Sequence, residues 1–270
     1  MLKKEILDTM KSPKARVVFL IFLLLVIYDF ADKFYWSYQD YWFHPEAYPN
    51  GLMEIMHPSA AGFLCGGNSN NNSQFLIYWL LPIWCLLFYG DSVIREKKNG
   101  YIPLMDTRAS RKKYFCGKNE GAFICGFGLM FVCLSVNYLL CGIGFREGDY
   151  LLNWDAYVGL PGQTEWYNFS VTHPVGVYLL YIVINAVVAG LLCCMCTSLC
   201  MALPSYPLVY AIAFMVWYPQ VSNDYSILLA MQPFLNYPAK TFLIAYLIFL
   251  IPVALCMIAG YIRRVKCDVL

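Results

Sequence analysis

Six apolar runs alternate with polar segments along the whole chain. A membrane-spanning helix needs about 20 predominantly apolar residues, and most of the runs approach that length. The pattern therefore predicts an all-α membrane protein whose residues 1–270 form a single transmembrane domain. The six predicted transmembrane helices cover approximately residues 17–36, 75–89, 122–145, 177–203, 208–221 and 241–262.

Two further segments have apolar residues but are too short to cross a membrane. In residues 1–16, four apolar side chains recur at helical spacing among basic ones, which predicts an amphipathic helix lying on the inner membrane surface and ending before Pro13. Residues 222–239 have an apolar centre at 227–231, which predicts a short re-entrant segment before the last span.

Composition supports the membrane assignment. Hydrophobic residues make up 60% of the 270 residues and charged residues only 13%, whereas a soluble domain has about 25% charged residues. Most of the twelve cysteines lie inside the apolar runs, so we expect them to pack within helices rather than to form disulfides. The group Cys193, Cys194, Cys196 and Cys200 has no histidine nearby, and we predict no metal site.

Basic residues are concentrated in three polar segments. Residues 1–16, 91–118 and 263–266 together hold sixteen of the nineteen Lys and Arg. Lys and Arg beside a span resist translocation, so these segments and both termini are predicted to be cytoplasmic. Residues 37–73 and 146–175 then form outer loops, and the predicted location is the plasma membrane, specifically a bacterial cytoplasmic membrane.

The first predicted span carries charges near its outer end. Asp29 and Lys33 are four residues apart and lie on one helical face, where they can pair. Ionisable residues within a membrane are functional candidates by default. The alternative is a pair that extends its charges to the outer membrane surface, and the sequence leaves both interpretations open.

Enzyme signatures are absent from the sequence. It contains no GxxxxGK[ST], HExxH or GxSxG motif, and its three histidines all fall in the predicted outer loops. We therefore predict no catalytic residues, no cofactor bound by this chain and no nucleic-acid partner.

Residues 91–118 carry eight Lys or Arg in an ordered pattern. Arg95-Glu96-Lys97-Lys98-Asn99-Gly100 is followed by Thr107-Arg108-Ala109-Ser110-Arg111 and then by Tyr114 and Lys118. In this segment, and in its overall layout, the chain resembles the membrane subunit of ABC-2 type ABC transporters, although its first outer loop is longer than that family commonly shows.

The resemblance implies that residues 91–118 form a coupling helix that docks on a separate ATPase subunit. It also implies two copies of that ATPase, which would bind the ATP and Mg²⁺, and a second permease that is identical or related. The residues to which the resemblance assigns coupling are Arg95, Glu96, Lys98, Gly100, Arg108, Ser110, Arg111, Tyr114 and Lys118.

The physical chemistry of the segment is compatible with docking. A helix opened by Asp91 or Ser92 can present charges to a partner, and Gly100 can end it in a left-handed turn. The alternative is that these charges bind membrane lipid and set the orientation, but that role requires neither Glu96 nor Gly100.

The predicted function is therefore the permease subunit of an ATP-driven exporter. Its aromatic outer loops and mostly uncharged spans favour an amphipathic or apolar cargo, for example a peptide antibiotic. The alternative is a membrane sensor or immunity protein that binds a peptide through its outer loops. An intramembrane enzyme is a third class, which the scarcity of polar residues within the spans disfavours.

Overall fold

The computed structural model describes residues 2–65, 72–100, 107, 110–152 and 154–266, and its regular elements are helices. The all-α fold is therefore confirmed. The long helices are α2 (Pro13–Phe43), α7 (Arg111–Gly144), α9 (Pro174–Ala202), α10 (Tyr206–Val221) and α12 (Ala239–Tyr261). The short helices are α1 (Leu2–Lys11), α3 (Pro58–Ala61), α4 (Asn72–Trp79), α5 (Leu81–Cys85), α6 (Asp91–Lys98), α8 (Glu165–Thr172) and α11 (Ile227–Ala230).

Three of the described helices are long and apolar enough to cross a membrane: α7, α9 and α12 with its continuation to Lys266. A fourth crossing is present if α4 and the helical stretch Leu81–Lys98 count as one span, although they are bent by 62° at their junction. The bend lies beside Pro82, which has no N–H to donate and so interrupts the helical hydrogen bonds. α2 is long enough but carries several charges, and α10 has only 16 residues.

Two helices extend beyond the predicted spans. α7 begins at Arg111, eleven residues before the predicted span, because the Ser110 hydroxyl caps it by accepting a hydrogen bond from Lys113 N at 3.3 Å. α2 continues to Phe43, so the first seven residues of the predicted outer loop are helical. The aromatic side chain of Tyr38 in this extension packs on Phe145 at the end of α7.

The core forms where small residues let the long helices approach closely. A Cβ added to Gly126 of α7 would lie 2.8 Å from the Ala189 carbonyl oxygen and from Cys193 Cβ of α9. The cysteines of α9 belong to this packing, and the Cys194 thiol donates to the Asn119 carbonyl at 3.2 Å. Such interfaces of small residues are typical of helices that pack in membranes.

The bundle has two chemically distinct ends. One, which we call the basic end, carries residues 2–16, 91–100 and 261–266; the Arg264 guanidinium lies 5.1 Å from the Tyr114 ring centroid there. The other, which we call the loop end, carries residues 37–65, 145–152 and 154–172. At the loop end the two predicted outer loops pair, because Tyr150 N donates to the Ile55 carbonyl at 3.1 Å and His57 N donates to the Tyr150 carbonyl at 2.9 Å.

The segment 222–239 contains the short helix α11 and is packed into the bundle. Ile227, Ala230 and Met231 are each about 99% buried, and Asn185 of α9 donates its amide N–H to the Met231 carbonyl at 2.9 Å. Its far end reaches the loop end, where Asn236 accepts a hydrogen bond from Thr164 N at 3.0 Å.

Candidate functional site

The segment that resembles a coupling helix begins with α6, which directly follows a π-helical turn. α5 passes through a π-helical turn, Leu86–Gly90, and continues directly into α6. After α6 the chain turns at Gly100, whose φ of +68° is in the left-handed region that glycine adopts without strain. This is the turn that the sequence predicts at the end of the helix.

α6 has one apolar, buried face and one charged, exposed face. Val93 and Ile94 are buried against the bundle, whereas Arg95 and Lys98 are exposed. The helix therefore lies across the basic end with an apolar face inward and a cationic face outward.

Beneath α6, the charged side chain of Lys118 is completely buried. Its Nζ lies 2.6 Å from Glu5 Oε2 and 2.6 Å from Glu96 Oε1. Tyr114 OH donates to the second oxygen of Glu96 at 2.8 Å, and Tyr89 OH donates to the Lys118 carbonyl at 3.1 Å. We call these five residues the lysine cluster.

The lysine cluster joins three helices, because Glu5 lies on α1, Glu96 on α6 and Lys118 on α7. The close approach of α1 depends on Gly121, where an added Cβ would lie 2.6 Å from Tyr89 OH and 3.3 Å from Glu5 Cβ. A buried charge is tolerated only when it is paired and hydrogen-bonded, so each helix depends on the others for its position.

A second ion pair ties α6 to the start of α2. Lys14 Nζ lies 2.6 Å from Asp91 Oδ2, and the Asp91 side chain is only 10% exposed. α6 is thus fixed at its first residue as well as at Glu96.

The C-terminal turn of α6 contacts the connection between α9 and α10. Lys97 Nζ donates to the Leu203 carbonyl at 3.2 Å, and Lys98 Nζ lies 4.5 Å from the Tyr206 ring centroid. Partial burial lowers the pKa of Lys97, and the nearby positive charge of Arg263 lowers it further.

Two of the residues assigned to coupling are buried, and a third binds both of them. Lys118 is fully buried, and Tyr114 is 1% exposed. The Glu96 carboxylate uses both oxygens for Lys118 and Tyr114, and its side chain is 25% exposed.

The other assigned residues have different surroundings. Arg95 and Lys98 are exposed, Gly100 forms the turn, and Ser110 is the N-cap of α7. Arg111 is half-buried in the first turn of α7. Arg108 lies outside the described residues.

The Asp29–Lys33 pair of the first predicted span is enclosed by protein. Lys33 Nζ lies 2.9 Å from Asp29 Oδ2, and the two side chains are 5% and 3% exposed. Lys33 also donates to the Gly62 carbonyl at 3.0 Å. The two charges therefore face the protein interior and do not extend outward, as the alternative interpretation of the pair requires.

Gly62 belongs to residues 58–65 of the predicted first outer loop, which enter the bundle; we call them the inserted segment. Several of their backbone groups are hydrogen-bonded to buried side chains, as buried backbone groups require. Phe63 N donates to Asn137 Oδ1 at 2.9 Å, and Leu64 N donates to Tyr178 OH at 3.2 Å. The loop is therefore partly a structural element of the core.

A cleft of about 680 Å³ opens at the loop end beside α2. We call it the acidic cleft. Tyr48 OH donates to Asp40 Oδ2 at 2.6 Å, and this bond, together with burial and the negative charges of Asp40 and Glu54, raises the pKa of Tyr48 to about 12. The acidic and aromatic side chains that line the cleft are Asp32, Asp40, Glu54, Trp36, Tyr48 and Tyr150.

Sequence reasoning did not identify Glu5, the Lys14–Asp91 pair or the inserted segment. One signal was available for Glu5, which lies beside Ile6 on the face of the amphipathic α1 that packs inward. Among the described residues, no group of three or more His, Cys, Asp or Glu side chains is arranged to hold a metal ion.

Comparison with known proteins shows a similarity to a bacterial protein of similar length. The chain is 29% identical over 181 residues to YybM of Bacillus subtilis (strain 168), covering 67% of this chain and 71% of that protein. That relative is an uncharacterized protein, so the similarity does not assign an activity to this chain. No family model matches the chain, and no solved structure matches it.

Proposed function

We propose that this chain is the membrane subunit of an ABC-2 type ABC exporter and is driven by a separate ATPase. In this proposal it crosses the plasma membrane six times, through α2, the bent α4–α5 pair, α7, α9, α10 and α12. Both termini are cytoplasmic, and residues 222–239 form the re-entrant segment. Two permease chains and two ATPases make the working assembly, which exports an amphipathic or apolar cargo.

The arrangement of the two ends supports this topology. Residues 2–16, 91–100 and 263–266, which are predicted to be cytoplasmic, lie at the basic end, and both predicted outer loops meet at the loop end. The Asp29–Lys33 pair does not oppose the crossing of α2, because the two charges neutralise each other inside the protein.

The topology can be tested with a natural cysteine. Cys116, in the first turns of α7, is the exposed cysteine among the described residues. An impermeant thiol reagent applied to intact cells should leave the wild-type protein unlabelled but should label an Asn50→Cys variant at the loop end. Labelling of Cys116 in intact cells, absent from a Cys116→Ser control, would exclude the proposed orientation.

The observation that best supports the coupling assignment is that ion pairs fix α6 to neighbouring helices. Its cationic face points outward, while Asp91 and Glu96 tie it to α2, α1 and α7. A partner that moves α6 therefore moves helices of the bundle instead of only bending a loop.

Arg95 is the residue with which to test docking, because it is exposed and lies on the cationic face of α6. Glu96 is less suitable, since reversing its charge would break the lysine cluster whether or not an ATPase binds. We expect Arg95→Glu to weaken ATPase association more than tenfold, because loss of a buried charged contact costs about 2–5 kcal/mol.

The assay is copurification of the ATPase with the tagged permease from native membranes. Arg146→Glu makes the same change at an exposed site on the loop end and should retain the ATPase. If wild-type protein brings down no ATPase, or if Arg95→Glu retains it as well as Arg146→Glu does, the coupling assignment is wrong.

The acidic cleft favours one alternative function, a sensor or immunity protein that binds a cationic peptide outside the cell. That protein would bind its peptide without any ATPase. Weaker peptide binding by Asp40→Asn would not distinguish this function from export of a peptide cargo, so ATPase copurification is the measurement that separates the two functions.

A further inference from the structure

A second cavity, with different chemistry, lies at the basic end. This apolar groove of about 340 Å³ is bounded by α1, the start of α2 and the middle of α7. The hydroxyl of Thr9 in its wall donates to the Glu5 carbonyl at 2.8 Å and is therefore satisfied within α1. The residues used below line the groove or its rim: Met10, Arg16, Phe19, Ile124, Gly128 and Val132.

We propose that the apolar groove binds one acyl chain of an anionic phospholipid from the cytoplasmic leaflet, with the lipid phosphate at Arg16. This inference deepens the proposed function by giving α1 a specific lipid partner. It rests on the membrane orientation proposed above and does not depend on the ATPase.

The groove needs an apolar occupant. Its wall residues Met10, Ile124 and Val132 are 66%, 41% and 43% exposed, which leaves large apolar surface uncovered by protein. At Gly128 the space is open, because no heavy atom lies within 4 Å of an added Cβ. Water does not fill an apolar cavity that offers it no hydrogen bonds, whereas an acyl chain restores the missing van der Waals contacts.

The positive charge of Arg16 at the rim favours a phospholipid whose headgroup has a net negative charge. The exposed Arg16 guanidinium donates one N–H to the Lys11 carbonyl at 2.9 Å. A guanidinium has five N–H donors in a fork that matches phosphate, so Arg16 can bind a phosphate while keeping that contact. Residues 2–16 also contain five Lys or Arg against two acidic residues, and such basic segments are attracted to anionic leaflets.

Two glycines on α7 give a matched pair of variants. Gly128→Leu fills the groove, whereas Gly142→Leu adds the same side chain near the other end of α7, where space is also open. Arg16→Gln removes the rim cation while leaving the groove unchanged. Each purified protein is incubated in mild detergent with phosphatidylglycerol or phosphatidylcholine of identical chains, and bound lipid is counted by native mass spectrometry.

We expect wild-type protein and Gly142→Leu to retain phosphatidylglycerol in preference to phosphatidylcholine. Gly128→Leu should retain about tenfold less of either lipid, equivalent to about 1.4 kcal/mol. Arg16→Gln should lose the preference but keep the weaker phosphatidylcholine binding. Equal retention by Gly128→Leu and Gly142→Leu overturns the acyl-chain site, and an unchanged preference in Arg16→Gln overturns the headgroup assignment.

Arg16→Gln decides the headgroup question even if Gly128→Leu fails to fold, which gel filtration would show. A negative result in both variants leaves ATPase copurification unaffected. Failure of the lipid site and failure of the proposed function are therefore distinguishable.

Discussion

Removing the buried charge of Lys118 tests whether the lysine cluster holds the basic end together. Lys118→Met keeps most of the apolar side-chain stem but leaves Glu5 and Glu96 facing each other without a cation. Lys113→Met is the matched control, because Lys113 is exposed on the same helix, five residues earlier.

The size of the effect follows from the burial of the three side chains. Removing one partner of a fully buried ion pair costs about 3–5 kcal/mol. Glu5 and Glu96 are 15% and 25% exposed, so water compensates part of the loss. We therefore expect the lower end of that range, about 3 kcal/mol, which shifts the unfolding equilibrium about a hundredfold.

The free energy of unfolding can be measured by denaturant titration in detergent micelles, followed by tryptophan fluorescence. Lys113→Met should change it by less than about 0.5 kcal/mol, as expected for an exposed site. Adding Glu5→Gln and Glu96→Gln to Lys118→Met should recover much of the loss, because no buried charge then remains unpaired. Equal stability of the two lysine variants, or no recovery in the triple variant, would falsify the proposed role of the cluster.

Two further predictions concern the loop end. Gly62→Ala should destabilise the protein by about 1–3 kcal/mol, because its Cβ would lie 2.3 Å from Tyr178 OH, whereas Gly142→Ala has open space and serves as the control in the same titration. Stability should also fall as the pH drops below about 6.5, since burial lowers the pKa of His57 and the unfolded chain takes up its proton first. His57 Nδ1 accepts a hydrogen bond from Ser59 N at 3.1 Å, so His57→Asn should flatten this part of the pH–stability curve; an unchanged slope would contradict the assignment.

The helical architecture was predictable because it depends on local pattern. Apolar runs identify α9 within three residues at its start and one at its end, since both flanks change abruptly to turn residues. Gly100 was also predictable, because a glycine after a charged helix commonly adopts the left-handed conformation. The six crossings and their orientation stay predictions that depend on charge distribution.

Contacts between distant segments were not predictable from the sequence. A basic residue in a basic loop is expected to face water, yet Lys118 lies inside because α7 starts early and α1 supplies a carboxylate from 113 positions away. The inserted segment contains no charged residue but follows a polar, aromatic stretch that is typical of an exposed loop. Its burial is favourable because buried side chains from other helices, among them Asn137 and Tyr178, bind its backbone.

α2 joins the polar contacts of the two ends. Lys14 near its start binds Asp91 of α6, and Lys33 binds the Gly62 carbonyl in the inserted segment. The two lysines are about 28 Å apart along one continuous helix, at 1.5 Å per residue. An axial shift of α2 at Asp91 must therefore move Lys33 as well, or break one of the two contacts.

Breaking the Lys33 contact costs more free energy than breaking the Lys14 contact, because the charge of Lys33 is enclosed by protein. The Gly62 carbonyl would also lose its hydrogen bond at a site that water does not reach. The exposed Lys14 can instead be solvated when it leaves Asp91, since its side chain is 58% exposed. The contact at the loop end is thus the stronger of the two. A partner acting on α6 would first strain the Lys14–Asp91 pair. The lysine cluster, which holds α6 to α1 and α7, is more buried and can pass a larger displacement into the bundle.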